Sequence, residues 1–322
     1  MPIDRKERAF IQFGQLTVIL IYLVILAGGI VRATGSGMGC PDWPKCFDRW
    51  VPPTKVEELP ANYQTIYAER GYASTEFNAV KTWIEYVNRL LGVLVGFSIF
   101  LFLCFSFYFF KRSKLTVFLA FVSFLLVSFQ GWLGSMVVSS LLSEWMITLH
   151  MLVALVIVLL VLFTVAYARL KLNLEPSRGF TQVKPELMVF GYILLLVLLI
   201  QVLMGTQVRE EVDGLAKAGV LRTAWIDELG AFFQVHRVMG MAILVMVVFW
   251  LRAVDLNQKS GWLSASGLIY ISLSIELMAG LFLAYMDFPA FMQPVHLLMG
   301  TVLIGLAGFK MATLQLNTII NR

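Results

Sequence analysis

The sequence predicts an all-α integral membrane protein with eight transmembrane helices, arranged as two tandem, pseudo-symmetric four-helix bundles. Three observations predict it. Hydrophobic residues make up 59% of the 322-residue chain and charged residues only 14%, where a soluble domain carries about a quarter charged residues. Eight apolar runs reach the ~20 residues that a helix needs to cross the hydrocarbon core. The second half of the chain then repeats the pattern of the first. A mean hydropathy of +0.81 excludes an ordinary soluble enzyme, a disordered chain and a small disulfide scaffold. Runs of this length are too long for barrel strands, and open sheet edges are not tolerated in lipid, so the spans are helices.

In order, the runs lie at 12–31, 83–110, 115–138, 145–168, 187–208, 230–252, 262–285 and 289–314. The first follows the charged segment Asp4-Arg5-Lys6-Glu7-Arg8. It ends in Gly28-Gly29-Ile30-Val31-Arg32 without a small-x-small cleavage site, so it reads as a span and not as a signal peptide. Residues 32–82 form a long outer loop and 209–229 a shorter one. The N-terminus, the 111–114, 169–184 and 252–259 loops and the C-terminal end, with Glu186 just before span five, carry 14 Lys+Arg and 5 Asp+Glu; the opposite side carries 11 and 14, and Glu276 stands within a span. The positive-inside rule therefore places both termini in the cytoplasm, as in a multi-pass protein of the cytoplasmic or inner membrane. The net charge of +5 is thus a topology signal, and membrane lipid replaces nucleic acid as the expected surrounding.

The repeat is legible residue by residue. Gly28 and Arg32 at the end of span one match Gly205 and Arg209 at the end of span five. Glu85-Tyr86-Val87-Asn88-Arg89 in span two matches Phe233-Gln234-Val235-His236-Arg237 in span six. Ser128, Gln130 and Gly134 match Ser274, Glu276 and Gly280, and His150 matches His296. An even number of spans per repeat gives both halves the same orientation. The expected units are 1–170, which carries the long outer loop, and 185–322.

All three histidines lie within spans, each six or seven residues in from the outer side. At 1.5 Å rise per residue they share one depth, roughly 10 Å below the outer surface. A lone buried histidine is usually a satisfied core residue. Three at one level, in matched places, point instead to function, because polar groups at membrane depth are costly. Two imidazoles from facing helices can hold a haem iron from both sides, which assigns a haem to His236 and His296. Zinc wants three or four ligands, and no further Cys, His or carboxylate stands nearby. Gly92, Gly240 and Gly300 are candidates for making room for a flat macrocycle, against ordinary close helix packing.

In the first half the place of His236 is taken by Asn88, a poor iron ligand, so a haem on His150 would keep one side open. Glu85 shares the helix face of Asn88 at i,i+3. It is either a carboxylate beside that open side, assisting oxygen chemistry or proton movement, or an interfacial partner of Arg89. Arg32, Arg89, Arg209 and Arg237 lie at the outer ends of the bundles, placed to bind haem propionates or to anchor the helices at the interface. Cys40 and Cys46 in the outer loop are candidates for a disulfide in an oxidising compartment, with structural and thiol-exchange roles both open. Cys104 reads as a packing residue.

The stretch Gly28-Gly29-Ile30-Val31-Arg32-Ala33-Thr34-Gly35-Ser36-Gly37-Met38-Gly39-Cys40-Pro41-Asp42-Trp43-Pro44-Lys45-Cys46, with Glu85-x-x-Asn88-Arg89, His150, His236-Arg237 and His296, resembles the haem A synthase family, related to the cytochrome oxidase assembly factor 15 proteins. The resemblance covers essentially all eight spans. It implies a membrane oxidoreductase that oxidises the C8 methyl of haem O to a formyl group through successive hydroxylations, giving haem A for terminal oxidases. It implies haem b in the second half, with His236 and His296 as axial ligands, and haem O or haem A in the first half on His150. Glu85 takes the place of the family's important glutamate, and Cys40 with Cys46 that of its outer-loop cysteine pair. The implied partners are haem O as substrate, haem O synthase, terminal oxidase assembly and an electron donor that the sequence does not identify; homo-oligomerisation is left open. The chain departs from the family where many members have Glu-x-x-His-Arg, and 209–229 lacks the second cysteine pair of some members. A non-catalytic di-haem electron-transfer or haem-carrier protein is the first alternative. A transporter with proton-coupling histidines is the second.

Overall fold

The computed structural model describes residues 5–73, 75–171, 183–255 and 264–320. Among them are eight helices long and apolar enough to cross a membrane: α1 (Arg5–Ala33), α2 (Ala79–Ser106), α3 (Lys114–Ser139), α4 (Glu144–Lys171), α5 (Pro185–Lys217), α6 (Ala231–Asp255), α7 (Ala265–Tyr285) and α8 (Met292–Ile320). No strand is present among the described residues, where the only bridge joins Cys46 and Arg49. This is an all-α, multi-pass membrane fold. Parts of the charged inner loops at 169–184 and 252–259, and the first two residues of the seventh predicted run, lie outside the described residues.

The helices start where their sequence supplies a cap. The side chains of Asn78, Ser113 and Ser264 accept from the backbone N–H of Lys81, Thr116 and Gly267, satisfying one of the orphan donors at each N-terminus. Pro185 opens α5, where its missing N–H costs nothing. Helix α1 starts seven residues before the predicted run at 12, and α8 ends six residues after the run that stops at 314. The largest difference is in α5. Helix α5 runs nine residues past the predicted end at 208, so Arg209 and Asp213 stand on helix. Val208 and Val212 are buried there against Trp225, Leu229 and Phe233, and this outer packing carries the helix beyond the hydrocarbon span.

Each of α1 to α4 packs on the next, and α4 closes the ring on α1; α5 to α8 form a second ring in the same order. The two rings meet where α8 lies against α1 and α4. The turns that end α3 and α7 are alike. Leu141-Leu142 and Asp287-Phe288 each place two consecutive non-glycine residues at φ between 53° and 64°. These turns stand 146 residues apart, the offset of the histidine repeat, so the halves share a costly backbone feature as well as side chains.

Lipid tails are as apolar as leucine, so helix association relies on close approach and van der Waals contact. A Cβ on Gly14 would lie 2.5 Å from Val165 and 2.8 Å from Phe102. The first-half core gathers Phe10, Ile99, Phe102 and Val161, with Phe10 stacked on Phe102 at 4.7 Å. The second-half core gathers Leu194, Trp250, Leu251 and Ile304. Outside these cores, Val93, Val238 and Val245 are about two-thirds exposed. A soluble protein does not tolerate such an apolar surface; lipid does.

Candidate functional site

His150, His236 and His296 each stand in the second turn of their helix, at the outer end of α4, α6 and α8. In the second half the two rings face each other with centroids 6.2 Å apart and planes at 77°. Metal–imidazole bonds run about 2.0–2.1 Å, so two imidazoles on opposite sides of one ion have centroids roughly 6 Å apart. The Nδ1–Cε1 edge of each ring is turned onto a glycine of the neighbouring helix. A Cβ on Gly205 would lie 3.4 Å from His236 Cε1, and one on Gly280 would lie 3.3 Å from His296 Cε1. The Gln201 amide donates to the His236 carbonyl at 2.9 Å, while His296 Nδ1 lies 3.2 Å from both the backbone oxygen and the Oε1 of Glu276.

The first half repeats the arrangement with one exchange. A Cβ on Gly134 would lie 3.4 Å from His150 Cε1, and the Gln130 amide donates to the His150 carbonyl at 2.8 Å. Opposite, Asn88 turns its Oδ1 toward Gly28, 3.9 Å from a Cβ there. The small residues that seat these groups are therefore Gly28, Gly134, Gly205 and Gly280. Of the three glycines named for a macrocycle, Gly92 meets nothing within 4 Å, Gly240 lies beside Gln201 and Gly300 beside Glu276.

Nine buried side-chain polar atoms have no hydrogen-bond partner among the described residues, and eight belong to this constellation: Arg32 Nε, Asn88 Oδ1, Gln130 Oε1, His150 Nδ1, Gln201 Oε1, Arg209 Nε, His236 Nδ1 and Glu276 Oε2. Each unmade bond costs roughly 1–3 kcal/mol. Such a concentration around the histidines of both halves is the pattern of a site that takes a polar or metal-bearing ligand. The ninth, Trp83 Nε1, lies at an open apolar groove between α1 and α2 of about 550 Å³ that Ala27, Ile30 and Val87 also line.

Glu85 and Arg89 are committed elsewhere. Arg89 Nε and Nη2 donate to Glu85 Oε1 at 3.1 and 2.5 Å. Its Nη1 donates to the carbonyls of Asp42 and Lys45, and Nη2 also to that of Cys40. Glu85 Oε2 accepts from the Cys40 N–H at 2.9 Å. The pair thus clamps the outer loop onto the first half. Thr82 adds a bond to the Gly39 carbonyl at 2.8 Å, and Gly39 is pressed so close that a Cβ would meet the Lys81 carbonyl at 2.6 Å. Inside the clamp Cys40 and Cys46 form a disulfide, both fully buried. Asp42 accepts from the N–H groups of Phe47 and Asp48. Phe47 then sits edge-on to Tyr63, Tyr67, Tyr72 and Phe77. Burial, then the Glu85 carboxylate, raise the Tyr72 hydroxyl above the usual tyrosine range; it donates to the Met38 carbonyl at 2.7 Å.

Arg32 and Arg209, equivalent in the repeat, converge on one carboxylate. Asp213 Oδ2 lies 3.0 Å from Arg32 and its Oδ1 2.7 Å from Arg209. Two guanidinium groups share one carboxylate, so positive charge remains for a further acid. Arg237 is exposed, donates to the Tyr285 hydroxyl at 3.2 Å and lies over the Phe233 ring. Asp213 escaped sequence reasoning, although its i+4 spacing from Arg209 was visible; its contact with Arg32 joins the halves and left no signal. The Glu85–Arg89 pair at i,i+4 was one of the two readings of Glu85; its hold on the loop escaped for the same reason, because those partners are backbone groups far along the chain.

Residues 12–307 match the family described as cytochrome oxidase assembly protein, COX15-CtaA. The chain belongs to that family. The matched stretch takes in every group of the site, from Gly28 to His296. Among curated relatives, a haem A synthase of Shewanella oneidensis is 30% identical over 142 residues, 43% of this chain and 39% of that protein. That of Bartonella tribocorum is 27% identical over 228 residues, 64% and 60% of the two chains. That of Pelagibacter ubique is 29% identical over 227 residues, 66% and 63%. In each case the chain spans less than two thirds of the relative's length.

Proposed function

We propose that the protein is a membrane oxidoreductase that takes haem O as substrate and oxidises its C8 methyl to a formyl group, giving haem A for terminal oxidases. The observation that carries this reading is the facing pair His236 and His296, spaced for one iron, repeated in the first half as His150 facing Asn88. Membership of the cytochrome oxidase assembly family, and the relatives named haem A synthase, support the same reading.

In this account the second half, 185–322, is the electron-transfer unit and the first half, 1–170, the substrate unit. His236 and His296 hold a resident haem b, which supplies one-electron transfer when bound. His150 holds the substrate iron. Asn88 presents an amide oxygen where the repeat has an imidazole, and so leaves room on that side for oxygen. Arg32 and Arg209 receive acidic groups of the bound macrocycles. Arg89 serves the loop, because its donors are spent on Glu85 and three carbonyls. Glu85, with both oxygens engaged, acts as a positioning residue that closes the disulfide loop over the substrate half and excludes water. Arg237, free of any carboxylate partner among the described residues, completes the outer charge of the second half. The buried disulfide acts structurally. Both termini face the cytoplasm, with haem O synthase as source of substrate, terminal oxidase as destination and a separate donor supplying electrons.

The absence of a fourth histidine favours one other reading, a di-haem electron-transfer or carrier protein without methyl oxidation. Co-expression with haem O synthase, followed by pyridine haemochrome analysis of the purified protein, decides between them. Haem A supports the enzyme. Haem b and haem O without haem A support the carrier, and a protein without a Soret band counts against both.

A further inference from the structure

Position 276 is the one place in the constellation where the two halves differ in charge. Gln130 in α3 and Glu276 in α7 are equivalent in the repeat, and each stands beside the histidine of the following helix. Gln130 uses its amide to donate to the His150 carbonyl, while its Oε1 and His150 Nδ1 both remain unpartnered. A carboxylate cannot donate to that carbonyl. Glu276 instead turns Oε1 to His296 Nδ1 at 3.2 Å, and its own backbone oxygen lies at the same distance from that nitrogen. Two acceptors on one ring nitrogen require that nitrogen to carry hydrogen, which leaves Nε2 of the neutral ring as the free donor to a metal. Among the described residues His236 has no such neighbour, and its Nδ1 is buried and unpartnered. Gly300, one turn beyond His296 on α8, makes the room, because a Cβ there would lie 3.1 Å from Glu276 Oε1. An intramembrane carboxylate is expensive and marks a role, and Glu276 is only 19% exposed.

We propose that Glu276 is a positioning residue for His296: it fixes the ring with Nε2 toward the bundle interior and, by accepting from Nδ1–H, makes His296 a more basic iron ligand than His236 or His150. This rests on the haem reading above. A carboxylate on the outer nitrogen of a ligating histidine raises its basicity and is felt in the metal's properties. The second-half iron is thereby held at a lower reduction potential than two imidazoles alone would give, which drives electrons toward the first half.

The test is redox titration and low-temperature EPR of the purified, full-length, haem-loaded protein. Glu276→Gln is expected to shift the midpoint potential of the low-spin centre upward and to move its g-values, and Glu276→Asp to restore part of the shift. Gly300→Ala, which crowds Oε1 and leaves every charge in place, is expected to shift the potential in the same direction. Ser274→Ala, at an exposed side chain of α7 that bonds the Tyr270 carbonyl, is the control and leaves the low-spin centre unchanged. Potentials and g-values in Glu276→Gln and Gly300→Ala equal to those of the wild type overturn the proposal. Loss of the low-spin signal in Glu276→Gln with helicity retained supports it, because the ring has lost its support. A wild-type protein with no Soret band overturns the haem reading itself and this inference with it, and is told apart by needing no variant.

Discussion

His150, His236, His296 and Asn88 occupy four equivalent places; the first two and Asn88 each bury a polar atom without a partner, while His296 is held through Nδ1 by Glu276. Replacing His236 or His296 by Ala is expected to abolish the low-spin b-type spectrum, read by reduced-minus-oxidised absorption; a retained spectrum removes the pair from the ligand set. Glu85→Gln breaks a buried ion pair, a change that costs about 3 kcal/mol or more. It is expected to speed reduction of the Cys40–Cys46 disulfide by a membrane-impermeant phosphine at least ~tenfold, and to lower haem A yield more than total haem. An unchanged reduction rate would separate Glu85 from the loop. The histidines and the Asn88 exchange were legible because the repeat aligned them in one dimension. The clamp was not, since Arg89 finds the carbonyls of Cys40, Asp42 and Lys45 through the folding of a 45-residue stretch that has no periodicity.

Helices set the site by what they lack. Gly28, Gly134, Gly205 and Gly280 each receive the side chain of the neighbouring helix, and the repeat had already paired them. The sequence could not say that they, and not Gly92, meet the three imidazoles and the Asn88 amide. Gly280→Ala places a methyl 3.3 Å from His296 Cε1 and is expected to broaden or abolish the low-spin EPR signal. Gly92→Ala meets open space and is expected to leave stability within about 0.5 kcal/mol, measured by thermal loss of the Soret band. Equal effects would mean that the glycines serve general packing only. Helix boundaries were legible to within about a turn except at the start of α1, the end of α8 and the end of α5, where the charge-rich stretch 209–217 hid a helix that Trp225 and Phe233 cover from outside.

At the scale of the whole chain, eight spans and the two-fold repeat were written in hydropathy and spacing. The seam between the halves was not, because α8 meets α1 and α4 through apolar faces that resemble their lipid-facing ones. The Arg32–Asp213–Arg209 bridge crosses that seam, so Asp213→Asn is expected to perturb spectra of both halves together, where a change in one half alone would confine the bridge to that side. The charge bias predicts that a cysteine placed at Glu69 is labelled from the outer face of intact cells by an impermeant maleimide, while one placed at Arg112 is not; the reverse pattern would invert the topology. The central claim is chemical, and one measurement reaches it most directly: pyridine haemochrome analysis of the wild-type protein and Asn88→His, each co-expressed with haem O synthase. The account predicts haem A from the wild type, and from Asn88→His an added low-spin centre in the first half. Haem O and haem b without haem A in both would contradict it.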